Sequence, residues 1–242
     1  MYIGRALTYV FDDPEWFNKI AITTILTVAS ILFTPLLIGL LGWAALLGYL
    51  VELVRNVRLG VRYPLPRWDN FNHFLAGGFN VLTAAIVYSL PNLVLGCVSS
   101  ILAQNMGGGL IGSTLVFAFS CCLFPLLLIY NLIAVPLLAL GIGRYSDDGH
   151  INVFFEFSFL FETLRQHLDR VLQWWLAALV VDLVFLILGV IPVLGWIVLA
   201  ALLVPTLGML TGQFALVMLG GLKAKPPTPS PSPSPAPRPS RR

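Results

Sequence analysis

The chain has 242 residues, of which 58% are apolar and only 10% charged, with a formal net charge of +3. Soluble globular domains carry about 25% charged residues, so this composition excludes an ordinary water-soluble domain and leaves no room for a separate one. The small positive excess lies largely in the C-terminal tail and in the loop after the second apolar segment; it suits anionic lipid head groups and requires no nucleic acid.

Residues 1–18 hold Asp12, Asp13 and Glu15 and offer no small-residue cleavage site, so the first apolar segment is expected to act as its own uncleaved insertion signal. The run Ile20–Val54 is 35 residues long, roughly 52 Å as one helix, which is too much for a single crossing of a ~30 Å core. Pro35 near its middle biases the preceding residue away from helix. Two short antiparallel helices, about 18–33 and 36–58, follow from this. A single kinked helix is the alternative, but it would make the number of spans odd and strand positive residues on opposite sides. A span over 77–103 contains Pro91, and one over 110–142 contains Pro125 and Pro136. Neighbouring helices can satisfy the carbonyls that such prolines free. The last run divides at Gly189–Gly195, where Pro192 and two glycines break it into spans 173–189 and 194–219.

The fold class expected is therefore all-α, a polytopic membrane protein of six transmembrane helices in three hairpins. Its domain is residues 1–222, followed by a Pro/Ser-rich basic tail, 223–242, which cannot build a core and reads as extended and disordered. A short amphipathic stretch precedes each hairpin. In 153–172, Phe154, Phe157, Phe161, Leu164 and Leu168 recur at helical spacing, and Arg165 and Asp169 form an i,i+4 pair on the opposite face. Trp68, Phe71, Leu75, Phe79 and Leu82 do the same over 66–82 behind Pro66, and Ile3, Leu7, Val10 and Phe17 more weakly at the N-terminus. Helices of this kind are expected to lie in the cytoplasmic interface.

All fourteen Lys and Arg residues fall at the ends of apolar runs or in alternate gaps between them, whereas the gaps near Pro35, Gly107–Gly109 and Pro192–Gly195 carry no charge. Cationic loops stay cytoplasmic. The expected location is the cell membrane, multi-pass, with both termini cytoplasmic.

The search for chemistry is almost empty. No HExxH, GxSxG or P-loop pattern occurs, so no catalytic residue, metal site or cofactor is expected. Cys97, Cys121 and Cys122 lie inside apolar runs as small apolar side chains. His150 beside Asp147 and Asp148 is explained by the turn at Gly149. Asp182 stands out: eight residues past Trp174, it is roughly 12 Å deep and near the bilayer midplane, where an ionisable group is a functional candidate. Asn131 and Asn92 are partners at compatible depth, and a structural tie between helices is the competing role. Glu52, one turn from Arg55, reads as a paired residue near the membrane edge. Gly208 and Gly212 form a GxxxG, and Gly39, Gly42 and Gly48 thin a face of the second span; close packing in the bundle is the first use and dimerisation the second. Trp68, Phe157, Phe161, Trp174 and Trp175 are expected interfacial anchors.

Phe11-x-x-Pro14-x-Trp16-x-x-Lys19, Gly48-Tyr49 followed by Arg55, Leu65-Pro66-x-Trp68-Asp69, and Pro136 leading to Arg144-Tyr145 and a Phe-rich stretch occur in that order. Together they resemble the prokaryotic membrane family known as domain of unknown function 4013, over about residues 5–215. The resemblance implies a multi-span membrane protein without established activity and brings no catalytic residues. The expected function is a non-enzymatic membrane scaffold or regulator. Its partners would be membrane lipids, a second copy of the chain or another membrane protein. The alternative is a small-solute or lipid transporter, proton-linked through Asp182.

Overall fold

The computed structural model describes residues 4, 8–106 and 109–222 of the chain. Among these, seven α-helices of ten residues or more follow one another: α1 Trp16–Phe33, α2 Gly39–Arg58, α3 Phe71–Met106, α4 Leu110–Asp148, α5 Phe157–Gln166, α6 Leu168–Gly189 and α7 Leu194–Leu219. All but α5 are long and apolar enough to cross a bilayer. Ile3, Leu7, the apex at 107–108 and the 223–242 tail lie outside the described residues.

α1 stops where Pro35 forces a short 3-10 turn, Thr34–Leu36, and Leu37 reverses the chain in the left-handed region at φ 62°. The Trp43 indole N–H fastens the turn by donating to Thr34 Oγ1 at 3.1 Å. The equivalent turn between α6 and α7 also reverses at a non-glycine residue, Val193, with φ 63°. Thr23, Thr27 and Ser30 form a buried polar stripe on α1. Each hydroxyl donates to a carbonyl four residues back, at 2.8, 2.8 and 2.6 Å, so the stripe is satisfied within its own helix.

Glycine seams set the packing. A Cβ on Gly48 would collide with the backbone of Phe74, and one on Gly78 with the carbonyl of Ala44. Only bare backbone allows α2 and α3 to approach so closely, and this is the most extensive helix contact in the molecule. Gly208 and Gly212 lie buried in the next seam, with Leu53 and Val57 of α2 filling the places of their missing side chains. Their use here is packing within the chain. Two apolar clusters result, one around Tyr49, Leu53, Val81 and Leu210, the other around Trp174, Phe214, Leu140 and Leu160.

Proline kinks are capped from neighbouring helices. Pro136 has no N–H for the Leu132 carbonyl, and the Trp175 indole N–H donates to that carbonyl instead at 3.1 Å. Beside the carbonyl that Pro91 leaves free, which is that of Val87, the Tyr130 hydroxyl donates to the next one, Tyr88, at 2.8 Å.

Several expectations need correction. α3 and α4 are 36 and 39 residues long, about 54 and 58 Å. They overrun 77–103 and 110–142 at the charged end. The extra turns are held by tertiary contacts: Phe74 packs edge-on against Tyr49 and Trp68, and the Gly143 carbonyl accepts from Arg58. The stretch 66–82 is thus no separate surface helix. It is a loop followed by the first turns of α3. Trp68 stacks flat on Tyr49, centroids 4.6 Å apart, with its N–H on Thr23 Oγ1 at 3.2 Å, so part of its surface is used in packing within the chain. Trp174 is buried against Phe214. The stretch 153–172 is broken at His167, which has non-helical φ −129° and ψ 41°. Arg165 and Asp169 therefore sit on different helices, and Asp169 pairs with Arg170 at 3.2 Å. In α5 the buried face is Leu160 and Leu164, while Phe157 and Phe161 remain 50% and 52% exposed.

Candidate functional site

Charged groups gather where α1 and α3 begin and α2 ends. Asp13 starts α1 by accepting the Glu15 amide at 2.8 Å, an Asx-type turn. Its second oxygen accepts from Lys19 Nζ at 2.6 Å, and Lys19 also donates to the Leu65 carbonyl at 3.0 Å. Both side chains of this ion pair are more than nine-tenths buried. The Leu65 carbonyl is held in place because Pro64 and Pro66 stiffen the loop and Asn56 Nδ2 donates to the Pro64 carbonyl at 2.9 Å. Arg67 Nη2 closes the rim on Glu15 at 2.6 Å.

These contacts enclose an open basin of about 610 Å³, within the usual range of ligand pockets. Glu52, Arg62, Asn70 and His73 also line it. Glu52 is only loosely held: Arg55 Nη1 is 3.8 Å and His73 Nε2 4.0 Å from its carboxylate, beyond hydrogen-bonding distance. Among the described residues Arg62 makes no ion pair; its guanidinium lies 5.4 Å from the centre of the Tyr63 ring. Beneath the basin, Tyr9 donates to the Pro205 carbonyl at 2.9 Å. Burial, helped by the nearby Tyr49 phenol, pushes its ionisation well above the ordinary range and keeps it a donor.

A second polar centre ties the same end of the bundle together. Arg58, the last residue of α2, is 5% exposed. Its Nη1 donates to the Gly143 carbonyl of α4 at 2.6 Å, and Nε and Nη2 both reach the Gly220 carbonyl at the end of α7 at 3.3 Å. No carboxylate lies within salt-bridge distance of it among the described residues. The compensation comes from the more distant charges of Asp147 and Asp148 together with the negative ends of the helix dipoles.

The residues singled out from sequence are not brought to one place. Asn92 and Asn131 pair with each other, amide to amide, with both bonds at 2.9 Å. Asp182 is exposed on the outside of α6 and makes no hydrogen bond or ion pair to the described residues. The two asparagines use each other and are not its partners. Among the described residues no three His, Cys, Asp or Glu side chains cluster closely enough to hold a metal ion.

The basin was missed because its walls are joined by contacts remote in sequence, Arg67 with Glu15 fifty-two residues apart and Lys19 with the Leu65 carbonyl forty-six. A signal was nevertheless present. Two of the motifs quoted above, Pro14–Lys19 and Leu65–Asp69, form its walls, and a third, Gly48-Tyr49, supports Trp68 from below.

Six bilayer-length apolar helices, joined through glycine seams and gathering their charges at one end, define an integral, multi-pass helical membrane protein. The chain belongs to the family described as "Protein of unknown function (DUF4013)", whose profile matches residues 28–200. No curated protein and no solved structure matches it.

Proposed function

We propose that this membrane protein is non-enzymatic, a scaffold or regulator whose working surface is the charged basin on the cytoplasmic side. The carrying observation is the distribution of polar groups. At the basin, Arg62, Asn70 and Glu52 remain available to a ligand. At membrane depth, Asn92 and Asn131 are consumed by each other, the thinned face of α2 is met mostly by neighbouring backbone, and that of α7 is filled by the Leu53 and Val57 side chains. Membrane lipid is the first partner in this reading, and a second copy or another membrane protein the next.

The competing reading is a small-solute or lipid transporter, proton-linked through Asp182, which stands alone near mid-membrane depth. The two separate in proteoliposomes. The scaffold reading expects no solute or lipid flux above protein-free vesicles. Flux that Asp182→Asn abolishes would replace it with the transporter.

Orientation is checked in a variant lacking Cys97, Cys121 and Cys122. Single cysteines introduced at Gly108 or Pro192 should react with an impermeant reagent from outside, and those at Arg62, Asp147 or Thr228 should not. External labelling at Asp147 would overturn the six-span arrangement with cytoplasmic termini.

A further inference from the structure

The basin does not end at its rim. A second space of about 300 Å³ adjoins it and shares Glu15, Lys19 and Arg67 with it. This groove runs along the outside of α1 past Asn18 to Ile22. Ile22 and the neighbouring Phe17 are exposed, so the groove opens sideways onto the apolar surface that faces lipid.

The charges of the basin sort into two groups. Lys19 and Asp13 satisfy each other, as do Arg67 and Glu15. Among the described lining residues this leaves one cation without an ion pair, Arg62, and one carboxylate whose cationic neighbours stand too far away to bond it, Glu52. Asn70 and His73 add hydrogen-bonding groups to the same lining. One positive group without an ion pair and one negative group held only by long ion pairs to Arg55 and His73 suit a ligand that itself carries both charges. A free amino acid could fill the basin but would leave the groove empty. A ligand with a zwitterionic head and an apolar tail occupies both.

Resting on the reading of the basin as the working surface, we propose that it holds the head group of an aminophospholipid. The ammonium lies on Glu52. The phosphodiester lies on Arg62, with Asn70 and His73 beside it, and the glycerol and acyl end leave through the groove past Ile22. Head groups stand at this level of a membrane, so the lipid need not leave the leaflet to bind.

The test is native mass spectrometry of the full-length protein. It is equilibrated in mild detergent with equimolar phosphatidylethanolamine, phosphatidylglycerol and phosphatidylcholine of identical acyl chains. Phosphatidylethanolamine should be retained over both others. Glu52→Gln should remove its advantage over phosphatidylglycerol, and Arg62→Gln should lower retention of both, each by about tenfold as for one charge-assisted contact. Asn70→Ala should weaken both lipids less, and Arg170→Gln, outside the basin, should change nothing. Thermal unfolding followed by tryptophan fluorescence checks that each variant is folded.

Equal retention of all three lipids, or variants that keep the wild-type preference, would overturn the proposal. Phosphatidylglycerol retained as well as phosphatidylethanolamine, with Glu52→Gln silent, would make this an anion site and refute the zwitterion. Soluble glycerophosphoethanolamine displacing the lipid at equal concentration would show that the groove contributes nothing, and the lipid assignment would fall. The outcome is separable from that of the scaffold reading. Flux with head-group selectivity intact removes the scaffold and leaves the lipid site, whereas selectivity lost without flux does the reverse.

Discussion

Replacing Arg58 by Met tests the lock that joins α2, α4 and α7. Met keeps much of the aliphatic length and removes the charge and every donor. The Gly143 carbonyl would retain the Ser146 hydroxyl, which donates to it at 2.7 Å, and so would lose one short charge-assisted bond. The Gly220 carbonyl ends a helix and takes both of its contacts from the guanidinium, so it would be left without a side-chain donor. A charge-assisted bond is worth about 1.5–3 kcal/mol and an orphaned buried acceptor costs about 1–3 kcal/mol. Relief of guanidinium burial offsets part of that sum. The expected net destabilisation is about 2–4 kcal/mol, a shift of roughly 30- to 700-fold in the unfolding equilibrium. SDS-driven unfolding in mixed micelles, read by tryptophan fluorescence, measures it. Arg58→Lys should recover only part, because one ammonium cannot reach both carbonyls in this geometry. Arg55→Met, at an exposed side chain, should stay within about 0.5 kcal/mol of the parent. An Arg58→Met protein as stable as the Arg55→Met control would refute the lock.

Gly78→Leu should force α2 and α3 apart at the Ala44 carbonyl and destabilise the fold by about 3 kcal/mol or more, with loss of the Tyr49–Trp68 stack visible in near-ultraviolet circular dichroism. Trp175→Phe should cost about 1 kcal/mol by freeing the Leu132 carbonyl. Adding Pro136→Ala, which restores an N–H to that carbonyl, should return most of it; equal losses with and without proline would discard the capping argument. A double-mutant cycle over Asn92→Leu and Asn131→Leu should give a coupling of about 0.6–1.7 kcal/mol, and a coupling of zero would dissolve the pair.

The six crossings are legible from hydropathy, and Pro35 and Pro192 locate the breaks in the first and last apolar runs, because a long run without polar relief must sit in lipid and must turn within its thickness. The helix ends at the charged side are not legible. Phe71–Ala76 and Gly143–Asp148 are neither apolar enough to extend a span nor broken by proline; they are helical because Trp68, Tyr49 and Arg58 hold them. The aromatic rhythm of 66–82 is real, but periodicity reports an apolar face without saying whether lipid or protein covers it. Trp174 is covered by protein and Trp68 partly so, whereas Phe157 and Phe161 are half exposed. Asp182 is legible as a lone acid, yet its outward direction depends on which face of α6 the bundle takes. The basin rests on pairings between distant segments, which no local spacing announces.

One residue connects the topology to the packing. α2, α4 and α7 all run toward the charged end, as the three-way contact of Arg58 with Gly143 and Gly220 requires. Their partial negative ends therefore converge there, and a cation at that point is stabilised by all three dipoles as well as by its hydrogen bonds. The opposite end likewise mixes helix starts with the ends of α1 and α6, so what distinguishes the charged end is that the Gly143 and Gly220 carbonyls lie within reach of one guanidinium there. A chain inserted the other way round would keep the same internal contacts but would carry its remaining arginines, including Arg62 and Arg67 of the basin, to the wrong side. Arg58 holds the helices together whichever way the bundle faces.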